Sequence, residues 1–402
     1  MFTPRWKKEA ILLYKGAKKF VHYKRDLLDP SKVDEIESRR ADLKAAIKSK
    51  DLDAVKEASK QVNKVCEKSL SHYRPPNALA ENLEVFWVAI VVALGVRAYF
   101  VQPFRIPTGS MQPSLNGIIA ESKAGEPDWD TPWFGGQVID FVLKGKTYSN
   151  KVAEKDLRIT KIEDKSFFLF SRTRVTFDDG SHVTIGCPKN EAMGIKTIEN
   201  AFNLNSSGYP SSPKGGVHFK KGEPIFKGSL TSGDLVLVDK FSYHFRQPKR
   251  GESFVFTTQG INTNADKNFL SSQQNGTHYI KRLVAVPGDT IQVDEPNLVI
   301  NGALAKEETI KRVASGKDGY TGYRFTPRGQ RHNSPFYNSK GSATLKDEEV
   351  ENRNYREFYA FGDNSPNSLD SRYWGSVKQY NLVGPALFSL WPFTSGHWGF
   401  IE

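Results

Sequence analysis

The feature that most constrains this chain is one apolar stretch, residues 83–101, which reads LEVFWVAIVVALGVRAYFV. In a helix that rises about 1.5 Å per residue, a stretch of this length covers roughly the hydrocarbon thickness of a bilayer. Trp87 and Tyr99 suit the interfacial positions of a spanning helix, and Arg97 can extend its guanidinium to the nearer surface. The pattern predicts a transmembrane helix over 83–101. A buried helix of a soluble domain is the alternative.

Positive charge is concentrated before this stretch. The 402-residue chain carries a formal net charge of +12, and up to Glu81 it has 19 Lys and Arg against 12 Asp and Glu. A basic region can bind nucleic acid or an anionic membrane, and the adjacent apolar stretch favours the membrane. With no zinc-finger spacing or RNA-binding aromatic motif, we expect no nucleic-acid partner. The positive-inside rule predicts a cytoplasmic N-terminus and residues 102–402 outside.

The sequence predicts that residues 1–82 form a basic, helical, cytoplasmic region. The first 25 residues space apolar side chains by three and four, with lysines largely off that stripe. This amphipathic helix either lies in the headgroup layer or packs on the helices that follow. Residues 30–72 continue the helical pattern and suit a helical hairpin or a coiled-coil contact. This region either docks a partner or is a stable tail.

After Pro103 the pattern changes to short β-type runs separated by Gly, Pro, Asn and Asp clusters. This predicts a mainly β, extracytoplasmic domain over 102–402, with an inserted β-rich section at 116–231 and a second variable section at 294–360. Cys66 and Cys187 would then lie on opposite sides of the membrane and could not form a disulfide. The eight histidines show no metal-ligand spacing, so no metal and no cofactor are expected.

Two short blocks bring together a serine and a lysine. Residues 107–115 read PTGSMQPSL, and residues 278–289 read HYIKRLVAVPGD. A hydroxyl is a weak nucleophile unless a base takes its proton, and a desolvated lysine can be that base. Along a strand, Lys281 shares a face with Tyr279 and Leu283, whose apolar surroundings disfavour the charged amine. A strand lysine alone is usually a solvated edge residue, so the hypothesis of a serine protease depends on Ser110 as well.

Four blocks in this order resemble bacterial type I signal peptidases, the Ser-Lys (leader peptidase) family that removes signal peptides from exported proteins. The blocks are residues 107–115, 233–252, 278–289 and 362–375. Thr108 stands where the family more often has serine, and Glu252 replaces the usual aspartate. The resemblance runs from about Val85 to Pro392, interrupted by the long sections after Asn116 and Asp294. This chain shows one spanning helix where the best-known members have two.

The resemblance implies an antiparallel β-sheet catalytic domain of signal-peptidase type and a role for each site residue. Ser110 would be the nucleophile and neutral Lys281 the general base. Thr108 would donate its hydroxyl to the oxyanion, together with the backbone N–H of Ser110. Ser368 would hydrogen-bond the lysine. Asp370 and Arg372 would form a buried ion pair that supports the turn in the block at 362–375.

The same resemblance implies how a substrate binds. An extended peptide would add as a strand between residues 104–107 and 279–280. The expected binding residues are Phe104, Ile106, Pro107, Tyr279 and Ile280, and their shallow pockets would suit small residues in an A-x-A site. The implied partners are preprotein signal peptides, the phospholipid membrane and a contact with the secretion machinery. The implied location is the bacterial cytoplasmic (inner) membrane, crossed once, with the site on the periplasmic face.

Two other functions fit parts of the sequence. A self-cleaving Ser-Lys repressor-type protease shares the dyad, but the apolar stretch and the block at 362–375 argue against it. A non-catalytic, membrane-tethered β-domain could bind exported chains without cutting them. The presence of both Ser110 and Lys281 argues against that module.

Overall fold

The computed structural model describes residues 4–69, 78–126, 128–167, 170–204, 210–261, 276–325, 341–347 and 355–402. The chain divides into two compact units, Met1–Ile90 and Val91–Glu402, and the division falls within a helix. The helices up to that point are α1 (Arg5–Lys24), α2 (Pro30–Ser49), α3 (Leu52–Lys68) and α4 (Ala78–Tyr99).

Helices α1, α2 and α3 pack on one another through small and aliphatic side chains. Ala10 and Ala17 of α1, Leu43 of α2, and Val55 and Val62 of α3 are buried in one cluster. Burying this stripe of α1 removes apolar surface from water, which stabilises the three-helix arrangement. Of the two placements open for the first amphipathic helix, the structure has it packed on the following helices. Two consecutive prolines are typical of the end of a helical region, and Pro75 and Pro76, which predict that end here, lie outside the described residues.

Helix α4 contains residues 83–99 of the apolar stretch. It begins five positions before the predicted start at Leu83 and ends two before the predicted end at Val101, which is the first residue of the strand that follows. A window of 19 residues, Glu81–Tyr99, is long and apolar enough to cross a membrane, and 0% of it is buried. A core helix of a soluble domain would bury one face against its neighbours. In the described chain this helix is not buried as a core helix would be.

The chain beyond α4 is mostly β-structure, as predicted. Its helices are α5 (Phe134–Lys144), α6 (Lys189–Gly194), α7 (Lys196–Glu199), α8 (Glu308–Ala314) and α9 (Ser371–Trp374). Its strands are β1 (Val101–Arg105), β2 (Ile119–Ser122), β3 (Lys146–Val152), β4 (Ile159–Asp164), β5 (Thr173–Phe177), β6 (His182–Ile185), β7 (Phe202–Leu204), β8 (Pro210–Pro213), β9 (Pro224–Thr231), β10 (Leu235–Asp239), β11 (Ser253–Thr257), β12 (His278–Ala285), β13 (Thr290–Asp294), β14 (Asn297–Ile300), β15 (Ala303–Leu304), β16 (Ser342–Thr344), β17 (Glu357–Phe361), β18 (Val377–Lys378), β19 (Leu382–Trp391) and β20 (Gly399–Phe400).

The largest sheet is antiparallel and has the order β1-β10-β19-β11-β12-β17-β18, with β20 beside β19. Although three strands separate β1 from β12, the Phe104 ring of β1 lies 4.9 Å from the His278 ring of β12, centroid to centroid. The sheet is therefore curled, with Ile106, Val236 and Val255 buried on its inner side. The curl brings the serine block, which follows β1, close to the lysine on β12.

The inserted section has its own sheets and its own core. Strands β2, β9 and β3 form one sheet, β4, β5 and β6 a second, and β7 and β8 a third. Phe177, Ile198 and Phe226 are buried in the cluster that these elements share. A fourth sheet, in the order β15-β14-β13-β16, joins β13 to three strands of the second variable section. The predicted fold class, mainly antiparallel β with a helical N-terminal region, is confirmed.

Candidate active site

Ser110 lies on one turn of 3₁₀ helix, Gly109–Met111, between strand β1 and the inserted section. Met111 and Leu115 anchor this turn because both are buried in the cluster inside the curled sheet. The N–H of Gln112 donates to the Gly109 carbonyl at 3.1 Å and closes the turn. The left-handed backbone that glycine would have allowed at 109 is not used.

The segment after β17 holds the serine turn from the other side. The N–H of Asn364 donates to the Ser110 carbonyl at 3.1 Å, and its side-chain amide donates to the Gly109 carbonyl at 3.0 Å. Gly362 lies directly against the Ser110 carbonyl. A Cβ atom at position 362 would be only 2.5 Å from the oxygen of that carbonyl. The close approach of these two segments requires glycine at this position.

Lys281 lies on β12 opposite Phe254 of β11, and it is buried. Its Nζ atom is 2.5 Å from the Oγ atom of Ser110 and 5.6 Å from the centre of the Tyr279 ring. Burial lowers the pKa of Lys281 to about 8, although the nearby carboxylates of Asp370 and Asp363 act in the opposite direction. A substantial fraction of the amine is therefore neutral near pH 8, as a base must be.

Behind the lysine, Asp370 and Arg372 form a buried ion pair with two hydrogen bonds, Nε to Oδ1 at 2.8 Å and a second guanidinium nitrogen to Oδ2 at 2.6 Å. Asp370 also accepts from the N–H of Gly362 at 3.0 Å. The remaining guanidinium donors reach the Ser365 hydroxyl, the Ser365 carbonyl and the Arg324 carbonyl, each at 2.8 Å. Because its donors are satisfied, this buried pair holds the turn that carries Gly362.

A second buried pair lies on the other face of β12. Arg282 donates to both carboxylate oxygens of Asp363, at 2.8 and 2.6 Å. Asp363 also accepts a hydrogen bond from the hydroxyl of Ser114, which follows the serine turn. The alternation of a strand places Arg282 on the opposite face from Lys281, where a structural role is expected, and Asp363 stands in a segment typical of a turn. The contact between these two residues was missed.

The predicted hydrogen bond from Ser368 to Lys281 is not formed. Ser368 is buried, and its Oγ atom has no hydrogen-bond partner among the residues that the structure describes. Its hydroxyl instead faces Gly362, where a Cβ atom would lie 2.2 Å from Oγ, while the lysine amine contacts Ser110. Thr108 is exposed and extended, immediately before the serine turn.

A cavity of about 580 Å³ opens over the Ser110–Lys281 contact. Asp370 and Arg372 lie behind its wall rather than on it. The lining includes the other predicted site residues, namely Phe104, Ile106, Pro107, Thr108, Ser110, Tyr279, Ile280, Lys281 and Ser368. The curled sheet thus brings residues from three distant blocks to one cavity.

Other lining residues were not singled out from the sequence. Asn364 belongs to the block at 362–375, in a segment typical of a turn. Asn190 and Glu191 come from helix α6 of the inserted section. No local sequence pattern signals these two positions, because only the packing of the inserted section brings them to the cavity.

Comparison with protein families gives a match to the model described as signal peptidase, peptidase S26, over residues 226–391. Residues 226–391 are therefore similar to the signal peptidase family. The match includes Lys281 and the block at 362–375, whereas Ser110 lies before it. The resemblance to type I signal peptidases is thereby confirmed.

Curated relatives of the signal peptidase region agree. The chain is 32% identical over 168 residues to signal peptidase I of Leptolyngbya laminosa, covering 41% of this chain and 63% of the relative. It is 28% identical over 165 residues to probable signal peptidase I-2 of Synechocystis sp., covering 41% and 58%. For signal peptidase I of Pseudomonas aeruginosa the identity is 29% over 188 residues, covering 41% and 61%. The chain thus spans about three-fifths of the length of these relatives.

Among solved structures, a signal peptidase I from Enterococcus faecalis is similar, with 26% identity and a TM-score of 0.23. The similarity covers 35% of this chain and 97% of that one.

Proposed function

We propose that this protein is a membrane-bound serine endopeptidase that removes N-terminal signal peptides from exported preproteins. The observation that carries the proposal is the 2.5 Å contact between Lys281 Nζ and Ser110 Oγ at the floor of an open cavity. These two residues are 171 positions apart, and the lysine is buried with a lowered pKa. A buried amine beside a hydroxyl, with no ion-pair partner among the described residues, is costly for a fold to retain and is typical of an activated nucleophile.

In the proposed reaction, neutral Lys281 takes the proton of Ser110 as Oγ attacks the carbonyl carbon of the scissile peptide. The resulting ammonium then gives this proton to the departing amine, leaving an ester on Ser110. Lys281, neutral again, removes a proton from the water that attacks the ester carbon, and it gives this proton to Ser110 Oγ as the carboxylic acid product leaves. One residue therefore acts in turn as base and acid.

The oxyanion of each tetrahedral intermediate needs donors on one side of the attacked carbonyl. We assign this role to the backbone N–H of Ser110 and the hydroxyl of Thr108. Gly362 and Asn364 position these donors by holding the serine turn. We assign Asp370 and Arg372 to support of that turn, and Ser368 to the wall beside the amine.

Substrate binding is proposed along the edge of β12 that faces the cavity. In the described chain, β17 pairs with β12 only from Arg282 onward, so residues 278–281 have β11 on one side and the cavity on the other. An extended peptide placed there can form main-chain hydrogen bonds with β12. Phe104, Ile106 and Ile280 provide apolar walls, and we propose that they accept the small side chains of an A-x-A site.

The bacterial cytoplasmic membrane is the proposed location, with one spanning helix over α4, a cytoplasmic N-terminus and the site on the periplasmic face. The exposed window Glu81–Tyr99 supports the span. Exposed apolar side chains of the second unit support contact with lipid as well, including Ile139 on α5 at 54% exposure and Trp398 at 57%. Lipid is a suitable environment for such a surface, whereas water is not. Contact with the secretion machinery is part of the same proposal.

The test is cleavage of a purified preprotein by the full chain in detergent, with the product identified by mass. We expect a cut after the A-x-A site that disappears in Ser110→Ala and in Lys281→Met. The exposed Lys221 offers a matched control, and Lys221→Met should cleave at the wild-type rate. Preprotein that stays intact but bound to the wild-type protein would instead indicate a binding module.

A further inference from the structure

One wall of the cavity comes from the inserted section. Asn190 and Glu191 lie on helix α6 and line the same cavity as Ser110 and Lys281. The helix is anchored in the inserted section, because Ala192 is fully buried in the core of that section. Glu191 is therefore presented to the cavity from a packed element.

Glu191 is the acidic side chain of this cavity, within the part of the chain that the structure describes. It is half-buried, and none of the described ion pairs or side-chain hydrogen bonds involves its carboxylate. Burial raises the pKa of Glu191 above its ordinary value, so its charge is poorly solvated. A surface carboxylate in water would not have this property.

The cationic side chains that line the cavity have other contacts. Arg105 donates to the Ser232 hydroxyl at 2.7 Å and lies over the Trp391 ring. Lys281 contacts Ser110. The charged form of a partly desolvated carboxylate that has no nearby cation is poorly stabilised. A ligand that supplies a cation lowers its free energy, because the new charge pair offsets the lost hydration.

We propose that Glu191 is a specificity-determining residue that selects preproteins carrying a lysine or arginine close to the cleavage site. The basic side chain pairs with the carboxylate while the peptide lies extended in the cavity. This inference rests on the proposed peptidase function and gives the inserted section a role in reading the substrate.

The test moves a single lysine through an alanine-rich peptide with an A-x-A site, from six residues before the scissile bond to four after it. Glutamine at each position is the neutral reference. We expect one position at which lysine raises kcat/KM of the wild-type protein about tenfold, as a well-placed charge pair would. The ratio of kcat/KM for the lysine peptide to kcat/KM for the glutamine peptide should fall to about one in Glu191→Gln. The Glu191→Lys variant should instead favour a peptide with glutamate at the same position.

Glu199 is a matched control, because it lies on the next helix, α7, in the same inserted section and does not line the cavity. Glu199→Gln should keep the wild-type lysine preference. The inference is overturned if the wild type shows no preference at any position, or if Glu191→Gln retains it. Failure of the wild type to cleave even the alanine peptide would instead refute the proposed peptidase function.

Discussion

Gly362 lies so close to Ser110 that a Cβ atom at position 362 would be 2.5 Å from the Ser110 carbonyl oxygen. The same added atom would be 2.2 Å from the Oγ atom of Ser368. The position of the nucleophile thus depends on a residue that has no side chain.

Replacing Gly362 with alanine should push the serine turn away from Lys281. Displacing a reacting group by about 1 Å can cost roughly 10²-fold in rate, so kcat should fall by about that factor. Gly125→Ala is the control, since a Cβ atom there meets nothing within 4 Å. Steady-state kinetics and circular dichroism on both variants check the prediction. A fully active Gly362→Ala protein would contradict the close packing described here.

The rate should depend on pH through Lys281. Burial lowers its pKa to about 8, and only the neutral amine can accept the Ser110 proton. Below pH 8 the neutral fraction grows about tenfold for each pH unit, so kcat/KM should rise with that slope and level off above pH 8. A profile of kcat/KM from pH 5 to pH 10 measures this. A flat profile between pH 5 and pH 9 would exclude a lysine base.

Thr108 should contribute through its hydroxyl rather than its shape. Thr108→Val keeps the branched side chain but removes the donor, and loss of one oxyanion donor typically lowers kcat by about 10²–10³-fold. Thr108→Ser restores the hydroxyl and should retain activity within about threefold. Comparing kcat of the two variants separates the roles. Equal activity of the valine and serine variants would remove Thr108 from the oxyanion site.

The Arg282–Asp363 pair should matter for stability. Arg282→Met leaves a fully buried carboxylate without its partner, which typically costs about 3–5 kcal/mol of unfolding free energy. The double variant Arg282→Met/Asp363→Leu should recover part of this loss, since neither charge is then left buried. Thermal unfolding in detergent measures the effect.

An exposed pair is the control for this prediction. Lys311 and Glu308 are 2.8 Å apart with side chains 52% and 83% exposed, so Lys311→Met should cost less than about 1 kcal/mol. Equal losses in the buried and exposed variants would argue against the buried pair as a support of the active site.

Helix α5 should contribute to cleavage at a membrane. Withdrawing an isoleucine from an apolar environment forfeits about 1.5–3 kcal/mol, so Ile139→Asp should lower cleavage of a membrane-inserted preprotein by about tenfold. Cleavage of a short peptide in detergent should be unchanged. Val217, exposed to 56% in the same inserted section, provides the control variant Val217→Asp. Equal effects of the two aspartates would mean that α5 has no special contact with lipid.

Local patterns were enough to predict much of the molecule. The apolar stretch predicted helix α4 because its length and composition need no partner to be recognised. Short β-type runs predicted the strands of the second unit. The serine and lysine blocks predicted that Ser110 and Lys281 meet at one site. The bounds of α4 differ, since Ala78 and its neighbours continue the helix although they are not part of the apolar run.

Relationships across the fold were less predictable. Asp363 stands in a segment typical of a turn, and nothing in its local sequence indicates a contact with Arg282, which is 81 positions away. Ser368 was expected to form a hydrogen bond with Lys281, yet in the structure its hydroxyl faces Gly362. No local sequence pattern indicated that Glu191 lines the cavity, because its position there depends on how the inserted section packs.

The sequence by itself determined the chemical groups and the class of fold, because hydrophobic spacing, turn residues and a membrane-length helix are properties of neighbouring residues. The tertiary structure decided which of these groups meet. Only the curl of the large sheet brings Ser110 within 2.5 Å of Lys281, and only burial in that curl lowers the pKa of the lysine. Desolvation is produced by residues from many parts of the chain, so no single segment can specify it.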